Sequence, residues 1–119
     1  FLIGESNGAI FGYHFLLNHA DWFKVAVFIS GTIDKNTLEE FTAKRGLLST
    51  KILMVHGTED LLFQVAVAEK EAAYLKQLGC DVEFKKIVGM GHGADPFAED
   101  EIAKWLKQFD MNKPIQKVD

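Results

Sequence analysis

Four short apolar runs divide the chain: Phe1 to Ile3, Val25 to Ile29, Ile52 to His56 and Val82 to Val88. Their β-branched and aromatic residues favour strands. Nearly unbroken apolarity marks strands covered on both faces, so the first three read as buried parallel strands. The segments between them follow a helical period. Asn7 to Asn18 is apolar almost all round, through Ile10, Phe11, Tyr13, Phe15, Leu16 and Leu17, and such a helix calls for protein on every side. Val65 to Leu78 places Val65, Ala68, Ala72, Leu75 and Leu78 on one stripe, with Gly79 in position for a left-handed C-terminal cap. Asn36, with Glu39 three residues on, has the form of a capping box for a short helix through Leu38 and Phe41 that ends near Gly46. Asp95 and Pro96 supply an N-cap and a first-turn proline for a last helix, whose buried face is Phe97, Ile102, Trp105, Leu106 and Phe109. Residues 111–119 carry Pro114 and no pattern, and are predicted to be a mobile tail after a single unit over residues 1–110. Trp22, Trp105 and the ten phenylalanines are core by default.

Strand and helix alternating four times predict an α/β fold: a parallel sheet of about four strands with flanking helices and right-handed crossovers. The opening run, Phe1 to Ile3, has none of the charges, bulges or prolines that protect exposed sheet edges. It is expected to pair with a strand outside this chain, or to self-associate. A first residue of Phe1 fits the same expectation, that of a fragment, a processed chain or one part of a larger assembly.

Composition narrows the partners. With 119 residues there is room for one domain, and 13 Lys and Arg against 17 Asp and Glu leave no basic surplus for a phosphate backbone, so nucleic acid is not an expected partner. No apolar run approaches the roughly 20 residues that a membrane-spanning helix requires. A single cysteine, Cys80, excludes an internal disulfide and a thiolate metal cluster, and is expected to be half-buried at the entrance to a strand. A cytoplasmic location is the default expectation.

Open α/β sheets bind ligands beyond the carboxyl ends of their strands. The polar segments that follow the four runs are Gly4-Glu5-Ser6-Asn7-Gly8, Ser30-Gly31-Thr32, Gly57-Thr58-Glu59-Asp60 and Gly89-Met90-Gly91-His92-Gly93. A serine, a carboxylate and a histidine thus arrive at one edge. The first segment matches G-x-S-x-G between a strand and a helix, where a sharp turn lifts the serine hydroxyl out of the sheet. Glycines two residues either side are expected because side chains there would collide with neighbouring elements. The Asn7 N–H, at the helix N-terminus, would face a developing oxyanion. A serine needs a base, and that base needs an orienting carboxylate. Asp60 follows Ser6 by 54 residues and His92 follows Asp60 by 32, each gap long enough to hold an element and return to the same edge.

These residues resemble the C-terminal half of an α/β-hydrolase, in its esterase, thioesterase and peptidase branches, over about the first 110 residues. The resemblance rests on Gly4-Glu5-Ser6-Asn7-Gly8-Ala9, Ile29-Ser30-Gly31, the stretch from Ile52 to Asp60, and Gly89-Met90-Gly91-His92. It implies Ser6 as nucleophile, Asp60 as acid and His92 as general base, with the four strands similar to the family's fifth to eighth. It implies hydrolysis of a small carboxylic ester or thioester through an acyl-enzyme, with no metal or organic cofactor. Ser30, Phe63 and Met90 are then expected near the substrate. The family's second oxyanion donor comes from a loop after its third strand, which is not in this chain. Losing one such donor costs a factor of about 10²–10³.

Alternatives stand beside this reading. Leu61-Leu62-Phe63-Gln64-Val65 lacks the Val-Pro that many relatives place after the acid, which keeps Glu59 open as the carboxylate. His56 is expected to be structural or at the pocket edge, and Glu5 to tune the site or solvate the turn. His14 and His19 are five apart, not the four that align two imidazoles on a helix for a metal. An oligopeptidase-like relative is the next enzyme reading, because Gly91-His92-Gly93 also suits that branch. A non-catalytic half-domain that needs a partner chain is the reading from another class. A nucleotide-binding half-sheet over Gly4 to Gly12 lacks the phosphate-binding lysine and the G-x-G-x-x-G spacing.

Overall fold

The computed structural model describes residues 1–44, 48–93 and 96–109. Its elements run β1 (Leu2–Glu5), α1 (Asn7–Asn18), a 3₁₀ turn (Ala20–Trp22), β2 (Val25–Ile29), α2 (Lys35–Ala43), β3 (Lys51–Gly57), α3 (Val65–Gln77), β4 (Asp81–Ile87) and α4 (Pro96–Leu106). Among the described residues the sheet has four strands in the order β1-β2-β3-β4, and every pairing is parallel. The α/β architecture expected from the alternation is the one observed.

The period of two along the central strands sorts the core into two layers. Ala26 and Phe28 of β2 and Ile52 and Met54 of β3 face one way, and join Tyr13, Leu16, Phe41 and Leu75 from α1, α2 and α3. Val25, Val27 and Ile29, with Leu53 and Val55, face the other way and pack on Ile102 and Trp105 of α4. Each such fully buried aliphatic or aromatic side chain contributes roughly 1.5–3 kcal/mol of transfer free energy. All five residues of β2 are buried, because helices cover both faces.

β1 departs from expectation. Ile3 is 47% exposed and Phe1 58% exposed, so this strand is not buried on both faces. The physical reason is position: among the described residues β1 pairs with β2 alone, and the α4 layer lies over β2 and β3. Phe11 of α1 is exposed for a related reason, since the buried side of that helix is Ala9, Gly12, Tyr13, Leu16 and Leu17. Trp22 is also exposed, its indole stacked on the His19 ring with centroids 4.0 Å apart, and so is not core. Val88, expected to end the last strand, lies beyond β4 and is exposed.

Caps tell a similar story. Gly79 takes φ 93 after α3, its N–H bonding the Lys76 carbonyl while the Cys80 N–H reaches Leu75, which is the paired closure expected of a glycine cap. Cys80 is buried at the entrance to β4, and burial pushes its thiol up. The N-cap of α2, however, is Asp34 rather than Asn36: its Oδ1 accepts from the Thr37 N–H at 2.8 Å. Both residues can cap, and the chain turns into the helix two residues earlier than the capping-box pattern suggested. Asp95, Gly46, the tail and the Phe97 side chain lie outside the described residues. No helix among the described residues is long and apolar enough to cross a membrane.

Candidate active site

Ser6 occupies the turn between β1 and α1 with φ 55 and ψ −119, a conformation non-glycine residues adopt only under constraint. Such strain costs about 1–3 kcal/mol and persists where surrounding contacts enforce it. Here the Ser6 N–H donates to the Ile29 carbonyl at 2.8 Å, and the Ser6 carbonyl accepts from Ala9 and Ile10 in the first turn of α1. The helix begins so close to the strand that a Cβ on Gly4 would lie 2.5 Å from the Gly8 carbonyl oxygen. Gly4 is therefore obligatory. Gly8 is not, because a Cβ there would meet nothing within 4 Å, and the expected need for glycine on both sides holds on one side only. Asn7 is the first residue of α1, where backbone N–H groups lack intrahelical partners.

His92 lies in the loop after β4. Its Nε2 is 2.7 Å from Ser6 Oγ and its Nδ1 is 3.0 Å from Asp60 Oδ2. Ser6, His92 and Asp60 thus stand in series, contributed by the loops after β1, β4 and β3. The Asp60 side chain is wholly buried, and its Oδ1 accepts from the Leu62 and Phe63 N–H groups, each at 2.9 Å. Burial alone would push this carboxyl up. The Phe63 N–H, the His92 ring and the Leu62 N–H outweigh burial and hold it below the usual carboxylate range, so the charge that faces the imidazole is kept. Glu59, the alternative acid, is exposed, and the carboxylate on His92 is that of Asp60.

The loop that carries His92 is tied down on three sides. Gly93 N–H donates to Ser30 Oγ at 3.0 Å, Glu59 N–H donates to the Met90 carbonyl at 2.9 Å, and Gly89 N–H reaches Thr58 Oγ1 at 2.9 Å. Met90 is buried in the α4-side layer, and its carbonyl presses so close to Gly57 that no Cβ fits there. Ser30 and Met90, read from the sequence as substrate neighbours, are both buried: Ser30 anchors the loop through Gly93, and Met90 is the loop residue whose side chain enters the α4-side layer. Phe63 does reach a surface: its ring meets that of His92 edge-on at 5.5 Å. It also lines a cleft of about 260 Å³ between Gly31-Thr32 and the start of α3, with the exposed Leu62 and Val67 at its margin. Another cleft, of about 290 Å³, lies at the end of α1 remote from Ser6, beside His19 and Trp22.

The remaining candidates have other partners. His14 stands 3.9 Å from Glu40, and His19 stacks on Trp22, so the two rings do not converge. Glu5 Oε1 would lie 3.2 Å from a Cβ added at Gly93, which places that carboxylate against the His92 loop. The Ser30 latch had no signal in the sequence, since Ser-Gly at a strand end is an ordinary turn.

A family model described as phospholipase/carboxylesterase matches residues 1–109. The chain belongs to that family. Individual proteins are similar to it over part of their length. Acyl-protein thioesterase 1 of Gibberella zeae is 39% identical over 59 residues, which are 50% of this chain and 25% of that protein. The crystal structure of Zea mays acyl-protein thioesterase 2 superposes with a TM-score of 0.69 at 21% identity, covering 89% of this chain and 54% of that one. The Bacillus cereus carboxylesterase gives 0.71 at 20% identity, covering 90% and 49%. These likenesses show the fold, and the chain spans about half the length of the solved relatives.

Proposed function

We propose that this chain carries the nucleophile, base and acid of a carboxylic ester or thioester hydrolase that works through an acyl-enzyme. The observation that carries the reading is the series of contacts from Ser6 Oγ through His92 to Asp60, at 2.7 and 3.0 Å. Ser6 Oγ attacks the acyl carbonyl and its proton passes to His92 Nε2; Nδ1 keeps its own proton, donated to Asp60. The oxyanion that forms faces the Asn7 N–H at the start of α1. As the C–O or C–S bond breaks, His92 returns the proton to the leaving alcohol or thiol. Water then repeats the sequence on the acyl-serine, releasing the acid. This chemistry calls for no metal or organic cofactor.

The test is labelling by a fluorophosphonate probe, followed by intact mass, on wild type and Ser6→Ala. One adduct on wild type and none on Ser6→Ala is the expected result. A folded wild type that takes no adduct refutes the reading for this chain. The exposed Phe1, Ile3 and Phe11 favour a second reading, in which activity requires a further polypeptide segment paired with β1. In that case labelling appears only when the segment is supplied, and Ile3→Lys abolishes the rescue.

A further inference from the structure

His56 stands near the end of β3, four residues before Asp60, with 2% of its surface exposed. A buried polar ring must find partners. Its Nε2 lies 2.6 Å from the Phe63 carbonyl oxygen. A carbonyl only accepts, so this contact assigns the proton to Nε2. The same Nε2 is 3.3 Å from Asp60 Oδ2, the oxygen that receives His92 Nδ1. Phe63 is thereby gripped at both ends, its N–H by Asp60 Oδ1 and its carbonyl by His56. The turn from Asp60 to Phe63 is closed by three hydrogen bonds from two side chains, and one of those side chains is the acid itself.

We propose that His56 is a positioning residue for Asp60: through the Phe63 carbonyl it holds the turn shut, and through its proximity to Oδ2 it steers that oxygen onto His92. The inference rests on the hydrolase reading above. Among the described residues His56 hydrogen-bonds neither Ser6 nor His92, so its effect passes through Asp60. An apolar side chain of similar size would fill the space at the end of β3 yet leave the Phe63 carbonyl without its donor and Oδ2 without its polar neighbour at 3.3 Å. A turn held at one end only lets the carboxylate rotate, and a supporting group of this kind is typically worth about 10–100-fold in activity.

The experiment uses the intact polypeptide that carries these residues, with His56→Gln, His56→Asn and His56→Leu. A glutamine amide nitrogen reaches about as far from Cβ as the imidazole Nε2, an asparagine amide only as far as Nδ1, and leucine offers no donor. Two readouts are followed: kcat and KM on p-nitrophenyl acetate, and the ¹⁵N signals of the His92 ring, which report whether Nδ1–H is bonded to a carboxylate. His56→Leu is expected to lower kcat about 10–100-fold with KM within about twofold, and to shift the His92 Nδ1 signal toward its unbonded position. His56→Gln restores both, and His56→Asn does not. A folded His56→Leu protein that keeps kcat and the His92 signal overturns the proposal. Where His56→Leu fails to fold, a His56→Asn protein equal to His56→Gln overturns it instead. The His92 signal needs no turnover, so a wild type that hydrolyses nothing defeats the hydrolase reading while His56 is still judged by that signal.

Discussion

The Ser30 hydroxyl accepts a hydrogen bond from the Gly93 N–H at 3.0 Å, joining the loop after β2 to the loop that carries His92. Ser30 is fully buried, adopts φ 54, and its own N–H is fixed to the Val55 carbonyl at 2.9 Å. The hydroxyl is thus a rigid anchor, and the residue it holds is adjacent to His92.

Ser30→Ala leaves the Gly93 N–H without its partner and costs about 1 kcal/mol of stability. The larger effect is expected on catalysis, because His92 loses a restraint one residue away. Ester hydrolysis falls by more than the change in denaturation midpoint accounts for. Equal activity in Ser30→Ala and wild type would rule the latch out.

Asp60→Asn keeps the shape of the acid and removes the charge that fixes the His92 tautomer, so kcat drops by about 10⁴. Glu59→Gln, at an exposed carboxylate, stays within twofold of wild type. Steady-state kinetics on one ester distinguishes the two. The stability effect has a defined sign. Asp60 is held below its ordinary range when folded, so its contribution is present above the unfolded value of about 3.9 and is lost as the pH falls through the lower folded value. The melting difference between wild type and Asp60→Asn is therefore constant at neutral pH and shrinks only in acid below about pH 4.

Gly4→Ala drives a methyl group to 2.5 Å from the Gly8 carbonyl oxygen and forces the turn between β1 and α1 apart. It is expected to cost about 1–3 kcal/mol and to abolish fluorophosphonate labelling. Gly8→Ala meets nothing within 4 Å and gains up to about 1 kcal/mol from helix propensity at the start of α1. Urea denaturation of the two variants gives shifts of opposite sign.

Glu71 reaches from α3 to the loop after β2, where its Oε2 accepts from Thr32 Oγ1 at 2.8 Å and from the Ile33 N–H at 2.9 Å. Its Oε1 is buried with no hydrogen-bond partner. Burial pushes this carboxyl up, against the Ile33 and Thr32 donors and the His56 ring. A folded carboxyl with a raised value is penalised for ionising, so stability is lost as the pH rises from the unfolded value through the folded one. Glu71→Gln retains an acceptor for Thr32 and Ile33 without the charge. Its melting temperature relative to wild type is expected to rise between about pH 4 and pH 7, and thermal melts across that range that show the opposite slope refute the assignment.

The amino-acid sequence determined what depends on near neighbours. The apolar runs marked β2 and β3, the stripe Ala68, Ala72, Leu75 and Leu78 with Gly79 marked α3 and its cap, and Gly4-Glu5-Ser6 marked the sharp turn from β1 into α1. The order Ser6, Asp60, His92 also brought the three residues to one edge, because parallel strands all end there. These signals survive because periodicity, capping and turn chemistry act over a few residues. Tertiary structure decided the rest. Whether Asp34 or Asn36 caps α2, whether a methyl group fits at Gly8, and whether Trp22 is covered all depend on what another part of the chain brings alongside. The same holds for Ser30 beneath Gly93 and His56 against Phe63 and Asp60, contacts that exist only once the strand register and loop paths are set. A hydroxyl or an imidazole has the same local propensity wherever its partner lies, so the residues that support Asp60 and His92 became visible only in the folded chain.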